Sequence, residues 1–123
     1  MVQITDDEFE QLVQEAVAAI PERFAERLNN VAFLVADEPT REQIGRNVRR
    51  GQTLLGLYEG VPLPKRGNGY TMVPPDVITV FRGPHVRGAR SLESLRAQVH
   101  NTVWHEVAHY FGLDHGAIRE LER

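Results

Sequence analysis

Three histidines and one glutamate lie close together near the C-terminal end of the sequence. They belong to the stretch HEVAHYFGLDH, which places histidines at positions 105, 109 and 115 and a glutamate at position 106. Histidines four residues apart share one face of an α-helix, so His105 and His109 can hold one metal ion from the same side. Imidazole is a good zinc ligand, and Glu106 is placed to act on a water at the metal rather than to bind the metal.

His115 joins this pair only if the chain bends. On a helix that continued at about 100° per residue, the His115 side chain would point well away from the other two histidines. Gly112 offers the bend, because glycine adopts positive φ at little cost and often follows the last residue of a helix. We therefore predict that the helix ends at Gly112 and that His105, His109 and His115 bind zinc. Three protein ligands leave a fourth position for water, as in a catalytic site.

Other polar or aromatic residues are weaker candidates for this site. Asp114 is interpreted as a solvated turn residue or as an acceptor for a ligand histidine, with ligation as a less favoured alternative. His85 lies in a segment with glycine and proline and is expected to be exposed. His100, at the surface or the edge of the core, is off the metal face. Trp104 is interpreted as a core residue, with a pocket wall as the less favoured alternative.

Length and composition limit the possible classes of protein. The chain has 123 residues, of which 41% are hydrophobic and 25% charged, and its formal net charge is -3 at pH 7. These values are ordinary for one soluble domain, so we interpret residues 1–123 as a single domain.

No basic stripe indicates nucleic-acid binding. The absence of cysteine excludes disulfides and thiolate metal sites. The N-terminus does not resemble a signal peptide and no apolar run reaches membrane-spanning length, so we expect a cytoplasmic protein with no membrane partner.

Hydrophobic periodicity predicts the elements that must position the histidine stretch. A capping box between Thr5 and Glu8 begins an amphipathic N-terminal helix. A short second helix that contains Phe24 is predicted to follow it. A weak polar helix is predicted over residues 41–50, and Ser91 caps a last long helix that carries the histidines. The predicted strands cover residues 31–36, 53–58 and 77–81, of which the first reads as fully buried. Residues 82–90 are interpreted as a connection.

The order of these elements favours the α+β class, because the helices lie mostly at the two ends of the chain. We expect a small sheet of three to four strands packed on the N-terminal helix and on the long C-terminal helix. Gly56, inside a predicted strand, indicates a bulge or the close approach of another backbone. Residues 59–75 are rich in glycine and proline, which predicts a long loop that is either functional or disordered.

The histidine stretch and two further segments resemble a known family. An HExxH helix behind a small sheet resembles the zincin metallopeptidases, and the longer HExxHxxGxxH pattern looks like their metzincin branch. Together with TLLGLYEGVPL from residue 53 and PDVITVFRGP from residue 75, nearly the whole chain is similar to the minimal zincin-like proteins of bacteria. This resemblance implies a minimal zincin-like fold, Zn2+ bound by His105, His109 and His115, and Glu106 as the catalytic base.

The chain also departs from these patterns. Many members of the minimal family carry Asp where this chain has His115, which is the standard metzincin choice. Metzincins have a methionine turn and a C-terminal subdomain after the third histidine, whereas the methionines here are Met1 and Met72 and eight residues follow His115. The substrate cleft is therefore expected to be shallow, or to be completed by residues 59–75, by a partner or by a second copy.

The predicted function is zinc-dependent hydrolysis of a peptide or protein substrate, with Glu106 activating water. Two alternatives remain: a non-catalytic metal-binding domain, and a module that presents residues 59–75 to a partner. Glu106 favours catalysis, because a structural site needs no carboxylate beside its histidines. In zincins an edge strand usually holds an extended substrate by backbone pairing, and the strands at 53–58 and 77–81 are the candidates here.

Overall fold

Three strands and five helices make up the described part of the chain. The structure is a computed structural model that describes residues 2–47, 53–61 and 75–113. His115, Asp114 and most of the predicted 59–75 loop lie outside the described residues. The α+β class and the predicted layout, a small sheet with an N-terminal helix and a long C-terminal helix, are confirmed. In chain order the elements are α1 (Asp6–Ala18), α2 (Glu22–Ala25), β1 (Val31–Ala36), α3 (Arg41–Asn47), β2 (Gly56–Glu59), β3 (Asp76–Phe81), α4 (Arg82–Gly88) and α5 (Leu92–Tyr110).

The three described strands form one mixed sheet with β3 in the centre. The order is β1-β3-β2, with β1 parallel and β2 antiparallel to β3. The prediction that residues 77–81 could serve as a substrate-holding edge strand is wrong, because neighbours on both sides use the backbone hydrogen bonds of β3. β2 is an edge strand among the described residues, so the other predicted candidate remains.

β1 has the predicted bounds, but it is not the fully buried strand that its apolar sequence suggested. Phe33 and Val35 pack against the core, whereas Leu34 points to the opposite face of the sheet and is 51% exposed. Successive side chains of a strand alternate between the two faces. The unbroken apolar sequence of β1 therefore predicted that both of its faces are buried. In the structure the described helices cover one face of this strand.

The core lies between α1, α5 and the face of the sheet that they cover. The capping box predicted for α1 is confirmed by reciprocal hydrogen bonds between Thr5 and Glu8. Each apolar side chain buried here stabilises the fold by roughly 1.5–3 kcal/mol. None of the helices in the described ranges is long and apolar enough to cross a membrane. The core residues of the three elements are Phe9, Leu12, Val13 and Ala16 of α1, Ile78 and Val80 of β3, and Leu95, Val99, Val103 and Val107 of α5.

The segment between β3 and α5, expected to be a connection, forms helix α4 over most of its length. Contacts with distant residues hold it. Arg87 donates to both carboxylate oxygens of Glu38, at 2.6 and 2.9 Å, and Arg82 donates to Asp37 at 3.1 Å. A Cβ on Gly83 would lie only 1.7 Å from a carboxylate oxygen of Glu38, so glycine permits this packing. Seven residues with two glycines and a proline carry no helical periodicity, which is why the sequence did not reveal the helix.

His85, expected to be exposed, is only 2% exposed. Its ring packs against Phe9, with 6.0 Å between the ring centroids. Within the described part of the chain, neither ring nitrogen has a hydrogen-bond partner. Burial without a partner disfavours the charged imidazolium and lowers the pKa of His85 to about 4.

We predict that His85 makes the protein less stable in mild acid. The unfolded chain takes up a proton near the ordinary histidine pKa of 6.5, whereas the folded chain does so only near 4. Between these values the unfolded state binds more protons, so the free energy of unfolding falls as the pH falls, by up to roughly 3 kcal/mol. Urea unfolding of the metal-free protein over this range, beside His85→Leu, measures the effect. If His85→Leu keeps the wild-type pH slope, His85 is not its source.

Candidate metal centre

Helix α5, which carries the histidines, begins and ends where the sequence predicts. Ser91 is its N-cap. At the other end Gly112 has a φ of 73° and its N–H donates to the C=O of His109, while the N–H of Leu113 donates to the C=O of Ala108. These two hydrogen bonds form a Schellman motif, which ends the helix and changes the chain direction at once. The predicted bend before position 115 is therefore present.

Three of the four predicted site residues lie together on α5. His105, Glu106 and His109 each offer a donor atom, and these atoms all lie within 4.8 Å of one another. The two imidazole rings have centroids 4.7 Å apart, as the four-residue spacing predicts. Both rings are partly exposed, whereas Glu106 is buried. His115, the predicted third ligand, lies outside the described residues and stays a prediction.

Glu106 is 6% exposed, and its carboxylate is held from two directions. Its Oε1 accepts a hydrogen bond from the backbone N–H of Tyr58 on β2, at 3.0 Å, and lies 3.2 Å from Nδ1 of His109. The contact with Glu106 raises the pKa of His109, and burial of the ring acts in the opposite direction. The hydrogen bond from Tyr58 connects α5 to the sheet and orients the carboxylate of Glu106.

The register of β2 explains why a backbone N–H reaches Glu106. The N–H of Phe81 donates to the C=O of Leu55, which makes these two residues a hydrogen-bonded pair. Since such pairs alternate along antiparallel strands, the backbone groups of Gly56 and Tyr58 point away from β3, and there the N–H of Tyr58 reaches Glu106 of α5. Sequence reasoning missed the role of Tyr58, because the type of its side chain is irrelevant to a backbone contact.

Gly56 lets β2 approach α5 closely. A Cβ at this position would lie 2.5 Å from Cγ2 of Thr102 and 3.2 Å from the backbone oxygen of Thr79. A close approach is present at Gly56, but its nearest neighbour is the side chain of Thr102 and not another backbone, as the sequence had suggested. Glycine at this position therefore sets the distance between the strand and the metal helix.

A cleft of about 580 Å³ lies beside the contact between β2 and α5, and the three site residues line it. Residues 53–58 form one wall and a single face of α5 forms the other. In the described lining Glu106 is the sole acidic group, and the other polar groups are mainly hydroxyls, amides and imidazoles. The lining residues of α5 are Gln98, Asn101, Thr102, His105, Glu106 and His109.

Two other residues considered from the sequence lie on a different side of α5. His100 and Trp104 line a separate cavity of about 370 Å³ with Phe24, which packs edge-to-face on Trp104 at 5.1 Å. The prediction that His100 lies off the metal face is confirmed. Trp104 is half-buried and packs against the core, close to what was expected.

We predict that Gly56→Ala destabilises the protein although alanine usually suits a strand at least as well as glycine. The added methyl overlaps Thr102, and overpacking of this kind costs about 1–3 kcal/mol. Thr102→Ser removes the overlapping methyl and should recover part of the loss in the double variant, as measured by urea unfolding. Gly45→Ala is the matched control, because a Cβ there meets nothing within 4 Å. Equal stability of Gly56→Ala and wild type would contradict the tight packing described above.

Comparison with known proteins agrees with this fold. The sequence model of a family described as Zincin-like metallopeptidase matches residues 28–123. Among solved structures, a conserved hypothetical protein from Thermo thermophilus has a similar fold, with a TM-score of 0.58 and 21% sequence identity over 88% of this chain and 94% of that chain. A search of curated proteins found no significant match. Since the family match spans most of the sequence, including the α5 cluster, this chain belongs to the zincin-like metallopeptidase family.

Proposed function

We propose that this protein is a zinc-dependent metallopeptidase in which Glu106 is the general base. The observation that carries the proposal is the position of His105, Glu106 and His109 on the wall of a cleft whose other wall is a strand edge. A structural zinc site is closed by four protein ligands, whereas a catalytic site keeps one position open to the substrate. Two histidines that border an open cleft match the second arrangement.

The donor set suits zinc. The chain has no thiols, and imidazole nitrogens are the donors that zinc takes in their place. His105 and His109 would hold the ion, and we propose His115 as the third ligand because the turn at Gly112 redirects the chain three residues before it. A bound zinc ion supplies a Lewis acid, which acidifies water and polarises the carbonyl to be cleaved.

Glu106 is oriented for proton transfer. In the described part of the chain both of its polar contacts go to Oε1, which leaves Oε2 to accept a proton from the attacking water. The same carboxyl group then delivers this proton to the leaving amine. Because the backbone of Tyr58 holds the carboxylate, its orientation does not depend on a second flexible side chain.

The shape of the cleft fits an extended peptide. Gly56 lines the cleft and its backbone N–H and C=O point away from β3, so they can pair with the main chain of a substrate that lies along β2. The α5 wall runs from Gln98 to His109, which is roughly 16 Å at about 1.5 Å per residue. At about 3.3 Å per extended residue, this length accommodates roughly five substrate residues.

Metal binding should depend on the histidine side chains. We predict about one zinc per chain in the wild type, as structural or catalytic zinc sites bind tightly enough to survive purification. His109→Ala and His115→Ala should lose most of this metal, whereas Glu106→Gln should keep it. Metal analysis of the purified proteins measures the outcome. If the wild type takes up no transition metal even when one is supplied, the proposed function is wrong.

Loss of the base should abolish peptide hydrolysis without disturbing the fold. Glu106→Gln is chosen because a glutamine oxygen can still accept the Tyr58 N–H, while the amide cannot accept a proton from water. We expect kcat to fall by roughly 10²- to 10⁴-fold, the usual contribution of a general base. Hydrolysis of a peptide library by the zinc-loaded proteins, with circular dichroism to verify folding, tests this. Wild-type activity in Glu106→Gln would exclude Glu106 as the base.

One observation favours a second candidate, a non-catalytic metal-binding domain. Glu106 already has a structural contact with Tyr58, so its presence beside the histidines does not by itself require catalysis. In a structural site the ion supplies folding energy, and chelation would strongly lower the melting temperature. A large loss of stability on chelation, in a protein that cleaves no library peptide, would support this candidate over the peptidase. The third alternative, a partner-binding module, concerns a loop mostly outside the described residues.

A further inference from the structure

A second cavity continues the cleft at the end away from Glu106. It has a volume of about 560 Å³ and shares Thr53, Leu55 and Gln98 with the cleft. Its far wall comes from α4 and includes His85 and Gly88. We refer to this space, bounded by the three shared residues, α4 and the start of α5, as the α4 cavity. Because both cavities border the same residues, a peptide that lies along the cleft passes the mouth of the α4 cavity.

The spacing along α5 sets which part of such a peptide meets the α4 cavity. Gln98 precedes His105 by seven residues, or roughly 10 Å along the helix, and Ser94 precedes it by eleven, or roughly 16 Å. An extended peptide advances about 3.3 Å per residue. The cavity therefore lies beside substrate residues about three to five positions from the bond at the metal.

The charges around the α4 cavity are neutralised or absent among the described residues. The guanidinium of Arg87, on its rim, is held by both carboxylate oxygens of Glu38 at 2.6 and 2.9 Å. Burial lowers the pKa of His85 to about 4, so its ring is uncharged near neutral pH. The remaining described lining is aliphatic, hydroxyl or amide in character. An acidic or basic side chain would lose hydration here without gaining a partner, whereas a bulky uncharged one would bury apolar surface.

We propose that the α4 cavity is a specificity subsite that accepts a bulky uncharged side chain, aromatic or aliphatic, three to five residues from the scissile bond. This inference rests on the proposed peptidase function and names a substrate class for it. Cleavage would then require an extended segment with an apolar residue at a fixed distance from the bond, and short peptides that end before the cavity would be poorer substrates.

Gly88 offers a direct way to fill the cavity. A Cβ on Gly88 meets nothing within 4 Å and Gly88 lines the cavity, so Gly88→Leu adds bulk at the cavity wall without a clash at Cβ. Gly45, in α3, is equally unobstructed and lines neither cavity, so Gly45→Leu is the matched control. Both substitutions replace a helical glycine by leucine, which raises helix propensity by a similar amount. Thermal unfolding of the two variants should therefore resemble that of the wild type.

The substrates are peptides with one common cleavage sequence. One set carries phenylalanine or alanine at each position three to five residues from the bond, on either side, and another set is truncated before those positions. The wild type should cleave the best phenylalanine peptide at least about tenfold faster, in kcat/KM, than its alanine counterpart. Gly88→Leu should remove this preference and leave kcat/KM for the truncated peptides unchanged, while Gly45→Leu should behave as the wild type.

The possible failures have different meanings. If the wild type cleaves peptides without distinguishing phenylalanine from alanine at any of these positions, the subsite is wrong and the peptidase function stands. That comparison uses only the wild type, so it tests the proposed subsite even if Gly88→Leu does not fold. An equal loss of kcat/KM on long and truncated peptides in folded Gly88→Leu would also overturn the subsite. If the zinc-loaded wild type cleaves no peptide, both the function and the subsite fall.

Discussion

The site depends on the contact between helix α5 and strand β2. The hydrogen bond from the Tyr58 N–H to Glu106 links the two elements, and the missing side chain at Gly56 lets them approach. A helix alone can present two imidazoles and a carboxylate on one side. It cannot orient the carboxylate against a fixed partner, nor place a strand edge across from it as the second wall of a cleft. Both features come from the same contact, so displacement of β2 would change the orientation of the Glu106 carboxylate and the shape of the cleft together.

Helix α5 packs one side of its surface against the core and lines the cleft with another. Leu95, Val99, Val103 and Val107 pack against α1 and β3, and burial of these side chains holds the helix in place. His105 and His109, on another side of the helix, face the cleft and are partly exposed. Since most of the stability comes from the buried stripe, the cleft face is free to carry polar groups that contribute little to folding. A metal ion that needs an open position fits this division.

The errors of the sequence interpretation fall where local pattern and tertiary packing differ. Helix α4 has no periodicity of its own, and ion pairs to the segment after β1 stabilise it. The sequence assigns His85 to the surface because polar residues near glycine and proline usually lie there, yet it is buried beside Phe9. Its position matters for the chemistry, since it forms part of the cavity that extends the cleft. The role of β3 also differs from the prediction, because the order in which strands pair cannot be inferred from their individual sequences.

Local sequence patterns were enough to predict the features that depend on neighbouring residues. These are the helix with His105, Glu106 and His109 on one side, its cap at Ser91 and its end at Gly112, because helical spacing and capping act over three to six residues. Only the tertiary structure decided which strand borders the cleft, what orients Glu106 and where the α4 cavity lies. These features join residues roughly 10 to 50 positions apart in the chain, as in the bond between Tyr58 and Glu106. Such contacts depend on strand register and packing, which no local pattern of residue types encodes.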